Sequence, residues 1–256
     1  MDELNAAAIA VPGLEVRVVQ RCPSTNQSLL AEGRSDVLLA AEEQTAGRGR
    51  RGRRWHSARG AGVTFSVSRT TKRPSRELAG LSLVAGVATV RALRALGVAQ
   101  AALKWPNDLV VDGAKLGGIL VETRAVPGGS LAVIGIGINC RRDAALALRL
   151  RRRLASLDQF LARAARNALI GAIACRLVEV LARFEADGLA PLAREWERLD
   201  AHAGQRLRVR LADGRCITGV ARGLAEDGGL RLETRAGVRS VRSGRVISAQ
   251  MRSRPA

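Results

Sequence analysis

The sequence contains no tyrosine, three tryptophans and three phenylalanines, so only 2% of its 256 residues are aromatic. Modules that hold single-stranded nucleic acid usually stack bases on aromatic rings, and this chain has few to offer. Its core must be built from Leu, Val, Ile and Ala. Histidine occurs only at His56 and His202, and no catalytic triad is legible around either. The four cysteines, Cys22, Cys140, Cys175 and Cys216, form no Cys-x-x-Cys pair. That excludes the usual zinc and thioredoxin patterns and favours free thiols in a reducing compartment. No run reaches the ~18 uninterrupted apolar residues of a membrane span. The opening Met1-Asp2-Glu3-Leu4 is acidic where a signal peptide is basic. A soluble cytoplasmic protein without a membrane partner is expected.

Lysine is scarce too. Of 42 basic residues only Lys72, Lys104 and Lys115 are lysines; the other 39 are arginines, against 23 acidic residues and a net charge of +19. This bias reads partly as a solvated basic surface, and it will also draw anions toward the protein at low salt. With 47% hydrophobic and 25% charged residues the chain is ordinary for a packed globular protein. Its length suits one large domain, or a large one with a small one.

Residues 14–20 alternate as a strand should, and residues 37–41 are an apolar run suited to a buried strand. A helix is predicted from Pro74-Ser75-Arg76-Glu77, with Leu78, Leu81, Ala85, Ala88, Ala92 and Leu96 on one face until Gly97. Asp112-Gly113 reads as a two-residue hairpin turn with positive φ, residues 131–138 as another buried strand, and Leu169 to Phe184 as a second amphipathic helix. Up to about residue 200 this is a mixed α+β domain. After His202, alternation of Leu207, Val209 and Leu211 with arginines, punctuated by Asp213-Gly214 and Asp227-Gly228-Gly229, predicts a small β-barrel. The stretch Arg149 to Arg153 reads as the exposed end of a helical segment.

Three motifs carry chemistry. Gly47-Arg48-Gly49-Arg50-Arg51-Gly52-Arg53-Arg54-Trp55 sets five arginines among three glycines after a predicted strand. The glycines let backbone N–H groups approach an anion, and the guanidiniums repel one another until negative charge arrives. Such a loop should be ordered by an anionic ligand, although a loop that simply binds RNA nonspecifically has the same composition. Lys104-Trp105-Pro106-Asn107-Asp108 and Lys115-Leu116-Gly117-Gly118 hold two of the three lysines, which points to a site too tight for the planar guanidinium fork. Ser24-Thr25-Asn26-Gln27 can cap a helix or fix a neutral polar head group.

Together with Glu43-Gln44-Thr45-Ala46, Ile119-Leu120-Val121-Glu122 and Gly135-Ile136-Gly137-Ile138-Asn139, these segments resemble biotin-protein ligase, also called biotin-[acetyl-CoA-carboxylase] ligase, in order and spacing from about residue 16 to 250. The resemblance implies a mixed β-sheet catalytic domain covered by helices, of the class II synthetase-like biotin/lipoate ligase type. It places this domain at residues 1–200, and a small C-terminal SH3-like β-barrel at 201–256. It also implies two steps: biotin and MgATP give biotinyl-5′-AMP and pyrophosphate, then a lysine of a biotin carboxyl carrier protein takes the biotinyl group. The cofactors would be ATP, biotin and Mg²⁺.

Carried over residue by residue, Lys115, Arg50 and Arg48 are the catalytic candidates. Biotin would be held by Ser24, Thr25, Asn26, Gln44, Gly47, Arg48, Gly49, Arg50, Lys115, Gly117 and Gly118. ATP and the adenylate would meet Arg48, Arg50, Arg51, Arg53, Trp55, Lys104, Asn107, Lys115 and Asn139, with Asn139 facing the adenine. Asp108 either helps hold Mg²⁺ or anchors the hairpin. The ligases of this family that also repress transcription carry an N-terminal helix-turn-helix. Only about 15 residues precede the first predicted strand here, so no sequence-specific DNA binding is expected. His56-Ser57-Ala58 departs from the aromatic residue and proline of many relatives. A monomer or weak homodimer is expected. Two other readings stand beside this one: lipoate-protein ligase, which shares the catalytic fold, and a non-catalytic basic nucleic-acid-binding protein.

Overall fold

The computed structural model describes residues 2–162 and 164–250. Chain order begins with β1 (Glu15–Cys22), α1 (Thr25–Glu32), β2 (Val37–Gln44) and β3 (Gly62–Thr71), then α2 (Leu81–Ala95), β4 (Ala102–Lys104) and β5 (Asp108–Val111). It continues with β6 (Ala114–Val126), β7 (Gly129–Asn139), α3 (Ala144–Leu150), α4 (Arg166–Asp187) and α5 (Ala190–Leu199). Seven strands form one mixed sheet in the order β1-β2-β3-β7-β6-β5-β4, parallel only between β1 and β2. The expected turn is present: Asp112 and Gly113, at φ 48° and 72°, join β5 to β6. The helix expected from Pro74 begins later, because Ser75–Leu78 forms a 3-10 turn and α2 starts at Leu81. The Ser75–Ala95 stretch is apolar and long enough to cross a bilayer by composition, but 72% of its most apolar window is packed inside the protein.

Alternation divides the sheet into two unlike faces. Val63, Phe65 and Val67 on β3 and Ile134, Ile136 and Ile138 on β7 point into the main core, against α2 and α4. The opposite face carries a second, small cluster, Leu29, Val37, Leu39, Leu131 and Val133, where α1 covers one end of the sheet. Beyond α1 the same face bears Thr64, Ser66, Gly118, Gly135 and Gly137, paired side by side across β3, β7 and β6. Only the first turn of α1, through Thr25 and Asn26, reaches this part of the face, and the glycines keep the rest of it low.

The second sheet contains β8 (Arg206–Arg210), β9 (Cys216–Leu224), β10 (Leu230–Thr234), β11 (Gly237–Val241) and β12 (Arg245–Gln250), in the order β11-β10-β9-β8-β12. The expected barrel is not closed, since β11 and β12 are the two edges and do not pair. Five flat strands would hold those edges ~19 Å apart, yet the four Cα–Cα steps from Val241 to Arg245 span at most ~14 Å. The sheet is therefore strongly coiled and open in its hydrogen bonding. Residues 251–256 of the expected C-terminal domain lie outside the described residues.

The start of the chain is fixed by a buried ion pair. The Arg166 guanidinium, at the start of α4, donates to both oxygens of Glu42 at 2.7 and 2.9 Å, and Glu42 also accepts from Leu4 N at 2.7 Å. Burial alone would raise the Glu42 carboxyl, but Arg166 and the Leu4 N–H outweigh it and hold it below the usual carboxylate range. A lowered carboxyl stabilises the fold above its ordinary pKa and loses that contribution as pH falls through the lowered value. Glu42→Ala should cost ~3–5 kcal/mol, because it strands a buried guanidinium. Denaturant unfolding at neutral pH measures it, and a cost below ~1 kcal/mol would show that water replaces the carboxylate.

Candidate functional site

The open sheet face is the floor of a cleft of about 750 Å³. One wall begins at Ser24, which caps α1 through the Gln27 N–H and lies at its N-terminus with Thr25 and Asn26, all three buried. From there a chain of hydrogen bonds crosses the floor. Gln44 Oε1 accepts from Thr25 N at 2.7 Å and Thr25 Oγ1 at 3.1 Å; Thr25 Oγ1 lies 2.6 Å from Ser66 Oγ, which donates to Asn26 Oδ1 at 2.6 Å. Asn26 Nδ2 in turn donates to Glu122 Oε2 at 2.9 Å, and Glu122 Oε1 pairs with Arg48 at 3.1 Å. This corner is the polar end of the cleft.

The floor admits Asn26 and Trp55 only because Gly135 and Gly137 lack side chains. A Cβ on Gly135 would come within 2.2 Å of Asn26 Oδ1, and one on Gly137 within 2.4 Å of the Trp55 indole. Gly118 lines the cleft, whereas Gly117 points to the other face, where a Cβ would strike Gly137 O at 2.4 Å. Gly47 also stands outside the cleft lining. It closes the base of the arginine loop, accepting from Trp55 N at 2.9 Å. Within that loop Gly49 N donates to Arg53 O at 2.7 Å, and Arg51 and Gly52 take positive φ at the tip. Arg51 reaches Ser243 Oγ at 2.8 Å, tying the loop to the second sheet.

The other end of the cleft is cationic. Lys115 Nζ lies 2.5 Å from Asp108 Oδ1, and Arg152 2.6 Å from Asp108 Oδ2. Arg152 is brought there because residues 153–155 run beside the start of β6, with Lys115 N donating to Arg153 O and Ala155 N to Lys115 O. Of the stretch read from sequence as an exposed helix end, Arg149 is an exposed residue of α3 that lies 3.1 Å from His56 Nδ1, outside the cleft, whereas Arg153 lines the cleft. Asn139 donates to Lys115 O and Ala155 O, and Asn107 to Ile119 O, so both amides brace the hairpin and its neighbour. The Trp55 indole lies 5.9 Å from Lys115 Nζ, and its Nε1 is buried without a partner among the described residues.

Twelve arginines and lysines line this cleft, against one carboxylate, Asp108. Burial would raise the Asp108 carboxyl, but Lys115 and Arg152 outweigh it and hold it below its ordinary value. Burial pushes Lys115 down, and the single shared carboxylate does not compensate. Lys104, Arg50 and Arg53 are likewise pushed down, first by burial and then by cationic neighbours that include Arg152 and Arg245 for Lys104 and Arg53, and Arg51 for Arg50. A site this short of negative charge is built for a polyanion.

Most of the residues picked out in the sequence therefore meet in one cleft; Gly47 and Gly117 support it from outside. Sequence reasoning missed Ser66, Glu122, Arg152, Arg210 and Arg245. The Gly-Ile-Gly-Ile alternation of β7 carried a readable sign of a bare face, but nothing marked the isolated arginines among 39.

Comparison with known proteins bears on this arrangement. Residues 18–139 match the Biotin/lipoate A/B protein ligase family, and residues 202–247 the Biotin protein ligase C terminal domain. The chain is 36% identical over 236 residues to the bifunctional ligase/repressor BirA of Escherichia coli, covering 90% of this chain and 73% of that protein. It is 34% identical to the biotin-[acetyl-CoA-carboxylase] ligase of Mycobacterium tuberculosis, covering 91% and 88%. The biotin protein ligase of Aquifex aeolicus in complex with biotin and ATP superposes with a TM-score of 0.76 at 28% identity, covering 90% of this chain and 96% of that one.

A chain with only three lysines allows a direct test of the electrostatics. In a spectrum of the protein labelled at lysine Cε, the Lys115 and Lys104 signals should titrate below the usual lysine range. Asp108→Asn should move the Lys115 midpoint lower still, and an unchanged or raised midpoint would contradict the shared-carboxylate arrangement.

Proposed function

The chain belongs to the biotin protein ligase family, and from that premise we propose that its cationic cleft is where a biotin carboxylate is joined to ATP. It is an enzyme that forms biotinyl-5′-AMP from biotin and ATP and transfers biotin to a lysine of a carboxylase. The observation that carries the site assignment is the convergence of Lys115 and the arginine loop on the same cleft as the Ser24-Thr25-Asn26-Gln44 corner.

In the first step a carboxylate oxygen of biotin attacks the α-phosphorus of ATP and pyrophosphate leaves. The two reacting groups are both anions and repel by about 1 kcal/mol at 4 Å in water, and several times more in a drier site. Fixed cations offset this. We place Lys115 between the carboxylate and the α-phosphate, with Arg48 and Arg50 closing over them from the loop. Arg51, Arg53 and Lys104 then face the phosphates, and Trp55 the nucleotide. Asn139, whose amide nitrogen is committed to the backbone, keeps an acceptor oxygen for the adenine. The carboxylate is already ionised, so this step requires no general base. Ser24, Thr25, Asn26 and Gln44 would fix the ureido ring of biotin over the glycine floor. In the second step the carrier lysine attacks the acyl carbon and AMP leaves.

Mg²⁺ would enter on the phosphates and screen their charge. Asp108 does not fit as its ligand, since Lys115 and Arg152 take both of its oxygens. Among the described residues no three His, Cys, Asp or Glu side chains converge on another cation site. We assign Asp108 to anchoring those two cations. The boundary between the catalytic and C-terminal units falls at residue 200/201, the carrier is the biotin carboxyl carrier protein, and the enzyme acts in the cytoplasm.

Mixing the protein with MgATP and either biotin or lipoate, followed by mass spectrometry, tests the substrate. Biotinyl-AMP alone is expected, and a lipoyl-adenylate would favour the lipoate branch. Gly135→Ala should cut adenylate formation at least ~10-fold, because its Cβ displaces Asn26 from the hydrogen-bonded chain.

A further inference from the structure

Of the run Arg149 to Arg153, only Arg152 is held by a carboxylate among the described residues. It is also drawn inward: Arg151 and Arg153 on either side are exposed, whereas 29% of the Arg152 side chain is accessible. The turn that delivers it is strained. Arg151 ends α3 at φ 47° and ψ 48°, a left-handed conformation unfavourable for any residue with a Cβ, and Arg152 N donates to Ala147 O at 3.1 Å. Such strain persists where the surrounding structure fixes it, often at functional sites. The chain then runs beside β6, where Leu154 bridges to Lys115, Lys115 N donates to Arg153 O at 3.0 Å, and Ala155 N donates to Lys115 O at 2.8 Å. Backbone bonds thus yoke Arg152 to Lys115. Anchoring uses little of the guanidinium. Its Nη2 donates to Asp108 Oδ2, while Nε and Nη1 have no acceptor among the described residues, and Arg152 lines the cleft with those donors unspent. Burial, and then cationic neighbours that include Arg152, lower Lys104, Lys115 and Arg53, so Arg152 lies within coulombic reach of all three.

We propose that Arg152 is a further catalytic residue of adenylate formation, which binds the β-phosphate of ATP and takes up the charge gained by the departing pyrophosphate. The inference rests on the ligase reading above and on Lys115 standing at the α-phosphate. Lys115 and Arg152 occupy opposite oxygens of Asp108, so Arg152 meets the group beside the one that Lys115 holds. Its neighbours Lys104 and Arg53 place that group on the phosphate side, since a neutral adenosine would need no cation. As the carboxylate oxygen bonds to the α-phosphorus, the bond from that phosphorus to the α,β-bridging oxygen breaks, and its electron pair stays with pyrophosphate. No proton moves. The guanidinium remains charged throughout, and its planar fork matches two phosphate oxygens at once.

The test uses the full chain with Arg152→Gln, which removes the charge, and Arg152→Lys, which keeps the charge without the fork. Single-turnover formation of biotinyl-AMP is compared with transfer of biotin from preformed biotinyl-AMP to a purified biotin carboxyl carrier domain, a half-reaction from which pyrophosphate is absent. Arg152→Gln should lose at least ~10²-fold in adenylation and less than ~10-fold in transfer, with Arg152→Lys between it and the parent. The loss in adenylation should also be larger with β,γ-methylene-ATP than with β,γ-difluoromethylene-ATP, whose leaving group carries its charge more readily. A residue that merely positioned Lys115 would depress both half-reactions alike and treat the two nucleotides alike. Either result would overturn the proposal, as would adenylation within a few-fold of the parent. If Arg152→Gln does not fold, Arg152→Lys carries the same comparisons. A parent protein that makes no biotinyl-AMP would overturn the ligase reading, and the role of Arg152 with it.

Discussion

One carboxylate is shared between two cations, and the cleft is organised around that shortage. Asp108 holds Lys115 with one oxygen and Arg152 with the other. It anchors both side chains without neutralising the site. Were a second carboxylate present, Lys115 would sit in a satisfied ion pair and the cleft would have little to offer an incoming anion. Were Asp108 absent, two partly buried cations would repel each other and drift from position. The arrangement keeps positive charge fixed in place before the substrate arrives, which is what electrostatic catalysis demands.

The sheet explains how such a site can sit beside a sound hydrophobic core. Period-two alternation lets β3 and β7 send large side chains to α2 and α4 while the reverse face carries glycines and small hydroxyls. The same strands that stabilise the fold therefore provide a floor with only small side chains. Each glycine is held to that composition by a particular neighbour, Asn26 above Gly135 and Trp55 above Gly137.

Much of this was legible in the sequence, and the limits of legibility are physical. The Asp112-Gly113 turn, the 131–138 strand and the Lys115 and arginine-loop motifs depend on local chain chemistry or on unusual residues in an ordered series, and each can be read along the chain. The helix start was misplaced because Gly80 and the 3-10 turn before it delay regular winding. The barrel was mistaken for a closed one because strand spacing shows how many strands there are, while closure depends on which edges pair. Ser66 left no signal, and Glu122 and Arg152 stand in segments read without a site role, because their roles arise from pairing across strands and from a segment running beside β6; none of that leaves a spacing. The abundance of arginine hid Arg152, Arg210 and Arg245 among their many neighbours, whereas the rarity of lysine drew attention to Lys115.

The second sheet completes the cleft rather than merely capping the fold, since Arg51 binds Ser243 and Arg210 and Arg245 line the mouth. The joining of two anions in this cleft nevertheless depends first on the charge on Lys115. The most direct measurement is the single-turnover rate of biotinyl-AMP formation in Lys115→Gln, which keeps the length and polarity of the side chain and removes its charge. The account predicts a fall of at least ~10²-fold, with biotin and ATP still bound within a few-fold of the parent affinities. A rate within a few-fold of the parent would contradict it, and would place the electrostatic work elsewhere in the cleft.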